Sequence, residues 1–134
     1  MKVHASNAAM MKPACDALRN IAINENNEIL IGKEGGIPIL LNIIKMHASN
    51  VTVMVPACYV LGNIAANNEK NQILIGKEGG IPIILNVMKL HASNETLISL
   101  ACVALGYITY NNENNRILIG KEGGIPIILN VMKL

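Results

Sequence analysis

IGKEGGIPILLNIIKM, residues 31–46, is the stretch that decides the fold, because the chain writes it three times. Residues 75–90 and 119–134 both read IGKEGGIPIILNVMKL. Gly32, Gly76 and Gly120 lie 44 residues apart. Cys15, Cys58 and Cys102 keep nearly the same beat, as do His4, His47 and His91, each of which opens the tetrad HASN. One residue is missing from the first unit. Asn20 to Gly32 spans 12 positions, where Asn63 to Gly76 and Tyr107 to Gly120 span 13. The deletion falls near Ile23, in a polar joint, where a connecting loop absorbs it more easily than a packed helix would. Units of about 1–46, 47–90 and 91–134 follow, within a single domain. A period of this length in an aliphatic chain fits a helical solenoid. Units this alike must each bury nearly the same surface against nearly the same neighbour.

Working outward from the quoted stretch, each unit reads as three helices. The Gly-Gly-Ile-Pro corners at 35–38, 79–82 and 123–126 place a glycine able to take positive φ at the end of one helix. They place a proline just inside the next helix, where no amide is wasted. Middle helices are expected at 37–46, 81–90 and 125–134. They are almost wholly apolar and so suited to the inside of a stack, with Lys45, Lys89 and Lys133 in their last turns. Short helices precede the corners at 26–33, 70–77 and 114–121, each opening from an Asn-rich loop. Their Ile-Leu-Ile runs would also suit short strands, but isolated strands would leave unpaired edges. Long helices are expected at 8–22, 51–65 and 95–109, with stripes such as Val53, Ala57, Leu61 and Ile64 at three- and four-residue spacing. Pro13 and Pro56 fall inside the first two and predict a bend or a frayed first turn, not a break into two elements.

Composition narrows the class. Hydrophobic residues make up 51% of the 134, with no Trp or Phe, so the core is aliphatic. A net charge of +2, from 11 basic and 9 acidic residues evenly spread, gives no footprint for nucleic acid. No apolar run is long enough to span a bilayer, and no signal peptide opens the sequence. Three cysteines at one repeat position, each after an Ala or in a helical pattern, read as small buried hydrophobes in a reducing, cytoplasmic (or nuclear) setting. Asn50 and Asn94 begin glycosylation-like triplets, but at a helix start they read as caps. Gly-Lys at 32–33, 76–77 and 120–121 lacks the lead-in and following hydroxyl of a phosphate loop. Solenoid stacking would hold the repeated histidines roughly 10 Å apart, too far for one metal. No nucleophile–base set or carboxylate pair suggests catalysis. The expectation is a protein that is not an enzyme and uses no cofactor, metal or small-molecule substrate.

Together the Asn-Glu-x-Asn stretch, the Ile-Leu-Ile helix, Gly-Gly-Ile-Pro and the long-helix ending Ala57–Ala65 resemble the armadillo repeat over the whole chain. The Met-Lys-x-His-x-x-Asn joint, at 1–7 and 88–94, looks like that of large armadillo proteins of protists. The resemblance implies an all-α, right-handed solenoid of about three repeats, starting at a long third helix and ending at a second helix. It also implies a concave groove, lined by the long helices, that binds an extended peptide or a protein surface. In peptide-binding members of the family an Asn near the end of the long helix holds the peptide backbone, and Asn20 and Asn63 fall on that position, with Tyr107 replacing it in the third unit. Nuclear import adaptors carry Trp four residues earlier. Here the residues are Asp16, Tyr59 and Val103, so the pockets for lysine stems are missing and binding of a basic import signal is not expected.

Two roles fit several of these residues. Asn20 and Asn63 can clamp a ligand backbone, since an amide donates and accepts at once, or tie neighbouring units together. Tyr59 and Tyr107 suit anchors of large contact area, or covers over aliphatic core. Met11, Met54 and Ile98 share a position that, if exposed, makes part of the groove apolar and adaptable. The candidate groove is therefore Asp16, Asn20, Met54, Tyr59, Asn63, Val103 and Tyr107. The sequence opens on half a repeat and closes on the other half, without polar caps. Two expectations follow: an excerpt of a longer array, whose units serve as spacers or binding modules, and head-to-tail self-association.

Overall fold

The computed structural model describes residues 5–133; His4 and Leu134, at which one histidine and the end of the last helix were expected, lie outside them. The described residues form nine α-helices and no strand. The long helices are α1 (Ala8–Ile21), α4 (Val51–Ala65) and α7 (Glu95–Thr109). The short ones are α2 (Glu25–Lys33), α5 (Glu69–Lys77) and α8 (Glu113–Lys121), and the middle ones α3 (Gly36–Met46), α6 (Gly80–Leu90) and α9 (Gly124–Lys133). The Ile-Leu-Ile runs are helical, and Pro13 and Pro56 interrupt neither long helix.

Asparagine sets where the helices start. Asn7, Asn50 and Asn94 cap the long helices, and Asn24, Asn68 and Asn112 the short ones, each side-chain oxygen accepting from an amide of the first turn. The short helices begin one residue earlier than expected. The cap falls at Asn24, Asn68 and Asn112, which leaves Glu25, Glu69 and Glu113 in the first turn, where a negative charge meets the positive end of the helix dipole. The corners form as the glycines dictate: Gly35, Gly79 and Gly123 have φ of 78°, 81° and 79°, a left-handed turn that a side chain would strain.

The missing residue near Ile23 has a structural identity. The joints after α4 and α7 each use a left-handed asparagine, Asn67 with φ 54° and Asn111 with φ 50°. The joint after α1 has no such residue, and its helix ends instead on Ala22 in right-handed geometry. Asparagine tolerates the left-handed region better than other residues with a side chain, so the two longer joints carry little strain.

Packing repeats with the sequence. The long helices pack side by side, α1 on α4 and α4 on α7, the middle helices α3 on α6 and α6 on α9, and α5 rests on α8. Each middle helix also meets the next long one, α3 with α4 and α6 with α7. The core is aliphatic throughout, with Leu61, Ile64, Ile75, Ile81, Ile84 and Ile108 fully buried. No helix among the described residues is long and apolar enough to cross a membrane.

Candidate functional site

The long helices bring the expected groove positions side by side. The helical spacing places Asp16, Arg19 and Asn20 on one face of α1. Tyr59 and Asn63 share the corresponding face of α4, and Val103 and Tyr107 that of α7. The Arg19 guanidinium lies 4.3 Å from the centre of the Tyr59 ring, which joins the first two faces directly. This cation–π contact leaves Tyr59 half-buried. The residues at the Arg19 position in the next two units are Gly62 and Gly106, which cover nothing. Val103, Tyr107 and, beyond the end of α7, Tyr110 are accordingly exposed.

Charge on this surface is largely accounted for. Asp16 is held by Lys12 at 2.6 Å, an exposed pair one helical turn apart that contributes little to stability. Arg19 faces an aromatic ring. What remains open is neutral: the exposed Asn20, the half-buried Asn63, and the apolar and aromatic groups of α7.

One expected groove residue is misplaced. Met54 is completely buried beneath α4 and offers no surface; Ile98 is buried at the same position, and only Met11 keeps partial exposure. The position faces the packed side of the long helix, where a flexible thioether fills core space.

The task of tying units together falls to a different set of asparagines. Asn71 donates from Nδ2 to the Ile64 carbonyl at 2.7 Å and reaches the Glu28 carbonyl of the preceding unit at 3.4 Å. Asn115 repeats the arrangement, donating to Ile108 O at 3.0 Å and across to Gln72 O at 2.9 Å. Each amide presses its oxygen against a glycine of the unit before, Gly32 for Asn71 and Gly76 for Asn115, at a distance no side chain there would permit. Sequence reasoning treated these asparagines only as members of a polar loop. Their signal was the unbroken series Asn27, Asn71, Asn115, matched to the glycine series Gly32, Gly76, Gly120.

The histidines are joint residues. His47 Nε2 donates to the Ala5 carbonyl at 2.6 Å and His91 Nε2 to the Ala48 carbonyl at 2.7 Å, each linking one HASN tetrad to the one before. A carbonyl can only accept, so the proton sits on Nε2 in both. Among the described residues no group of three or more His, Cys, Asp or Glu side chains is arranged to hold a metal ion.

The three cysteines are free thiols. Burial pushes the Cys58 thiol up to about 12, and the neighbouring Cys15 adds to the effect. Burial also raises Cys15, with a contribution from Asp16, and Cys102. A thiol held in its protonated form is a poor nucleophile.

No protein-family model matches the chain, and no curated protein matches it closely enough to count as a relative.

Proposed function

We propose that the chain is an armadillo-type solenoid of three repeats, and that the face shared by its long helices binds an extended segment of another protein without catalysing a reaction. The observation that carries this reading is the pairing of the half-buried Asn63 amide with the exposed Val103 and Tyr107 one helix away. An amide that both donates and accepts can satisfy a peptide backbone, and a neighbouring aromatic supplies contact area at low entropic cost. The neutrality of the open surface argues for a ligand anchored by apolar side chains. It argues against a basic import-type signal, for which only the already paired Asp16 offers an acid. Three protonated free thiols suit a reducing, intracellular setting.

The test is selection of peptides from a displayed library against the intact chain, followed by affinity measurement for the chain with Asn20, Tyr59, Asn63 and Tyr107 all changed to Ala. The expected result is a loss of affinity of about a hundredfold, the scale of two strong anchors. Unchanged affinity would assign binding to another face and leave the long helices as spacers.

A further inference from the structure

The chain builds one junction twice within itself, and its two outer faces carry the two separated halves of a third. This follows from the packing alone and is independent of the groove. On α3 the residues Ile37, Leu41 and Ile44 are buried, and on α6 so are Ile81, Leu85 and Met88, where each helix meets the next long helix. The same three positions on α9 are open: Ile125 is 56% exposed, Leu129 50% and Met132 77%. The long helices show the opposite gradient. Val53, Ala57, Val60 and Ile64 on α4 are buried, as are Leu97, Ala101, Ala104 and Ile108 on α7. On α1 the corresponding row is open, with Met10 43% and Ile21 47% exposed and Ala14 and Ala17 exposed between them. An apolar row lacking a following unit therefore stands at one end, and an apolar row lacking a preceding unit at the other.

The polar and steric details agree. Gly32 and Gly76 each receive an asparagine of the following unit, whereas a side chain built on Gly120 would meet nothing. Asn27, the asparagine of the first unit, has only its local bond to the Ile21 carbonyl. Inside the chain Leu41 approaches Gly80 of the next unit, its Cδ2 only 3.3 Å from where a Cβ would stand. The counterparts are Leu129 at one end and Gly36 at the other. Gly36 borders an apolar hollow of about 380 Å³ between α1 and α3, lined also by Met11, Leu18 and Ile39.

We propose that the outer face of α7–α9 is a docking surface for α1–α3 of a second copy of this chain. Asn27 of one copy seats on Gly120 of the other, and Leu129 enters the hollow at Gly36. The occupant is fixed by complementarity: an asparagine-filled glycine and two apolar rows are required together, and the chain's own opposite face supplies all three. The contact joins different surfaces of the two copies, so each addition leaves a fresh pair of ends and the assembly grows by mass action.

The experiment is sedimentation velocity on the full chain across a wide dilution series, with Met10→Glu and Leu129→Glu variants. Both residues are exposed, so helicity measured by circular dichroism should be unchanged. Wild type is expected to gain mass continuously with concentration, and each variant alone to remain a monomer. An equimolar mixture of the two is expected to stop at a dimer, since Met10→Glu retains a working α9 face and Leu129→Glu a working α1 face. Mixing Asn27→Cys and Gly120→Cys chains under mild oxidation should give a disulfide-linked heterodimer that neither forms alone, wild type serving as the control for the native thiols. A wild type that stays monomeric at every concentration overturns the proposal and leaves the α9 face to some other partner. Dimers formed by either charged variant alone overturn it too, because they require a symmetric contact.

Discussion

Asn115 occupies the space that a methyl group on Gly76 would need: its carboxamide oxygen rests against the bare Cα, and its nitrogen bridges the carbonyls of Ile108 and Gln72. The glycine and the asparagine belong to neighbouring units, so one substitution at either tests the junction between them. Gly76→Ala should displace the amide and break at least one of its bonds, costing about 1–3 kcal/mol. Gly120→Ala, at the same place in the last unit, meets open space. It should stabilise the folded chain by about 0.5–1 kcal/mol through helix propensity. Urea unfolding of the two variants, at a dilution where association is absent, should show shifts of opposite sign.

Removing the amide itself should have a cost that depends on the unit. Asn115→Ala leaves two buried carbonyls without donors and should destabilise by about 2 kcal/mol. Asn27→Ala removes one exposed local bond at 3.2 Å and should cost less than about 1 kcal/mol. Equal losses in chemical denaturation would mean that the cross-unit bond to Gln72 contributes nothing.

Cys58 predicts an alkaline limit to stability. Its thiol is held protonated to about pH 12 in the folded chain, against a reference value of 9.0. The unfolded chain therefore releases this proton first as the pH rises. The folded chain keeps the full benefit below about pH 9 and loses it progressively from there to about pH 12. The urea midpoint of wild type should fall through that range more steeply than that of Cys58→Ala, which removes this one titration. Parallel profiles would contradict the assignment.

Arg19 acts as the cover over Tyr59. Arg19→Ala should raise the accessibility of tyrosine emission to acrylamide and cost about 0.5–1 kcal/mol, the scale of a partly exposed cation–π contact. There is no tryptophan to mask the signal. Unchanged quenching would mean that the ring is shielded by its own helix.

Much of this architecture was legible before any coordinates, because its determinants are local. The positive φ of Gly35, Gly79 and Gly123 follows from a glycine pair before Ile-Pro, and the deletion near Ile23 mapped to the joint that lacks a left-handed asparagine. What stayed hidden depends on groups far apart in the chain. Asn71 reads as a polar loop residue until the Glu28 carbonyl, 43 residues away, is placed beside it. Met54 lies in the same helical period as the groove residues, and only the packing of α4 shows that it faces inward. Tyr59 and Tyr107 look alike as candidate anchors, yet Arg19 covers the first while glycine leaves the second open.

The bond from His91 to Ala48 and the seat of Asn115 on Gly76 reproduce, at the second boundary, the contacts from His47 to Ala5 and of Asn71 on Gly32. The boundaries are thus interchangeable. Excising residues 47–90 would join Met46 to His91 and bring Asn115 to Gly32, a meeting the chain already knows how to make. Length in this molecule is therefore a free variable: a shortened version should fold with native joints and simply be smaller.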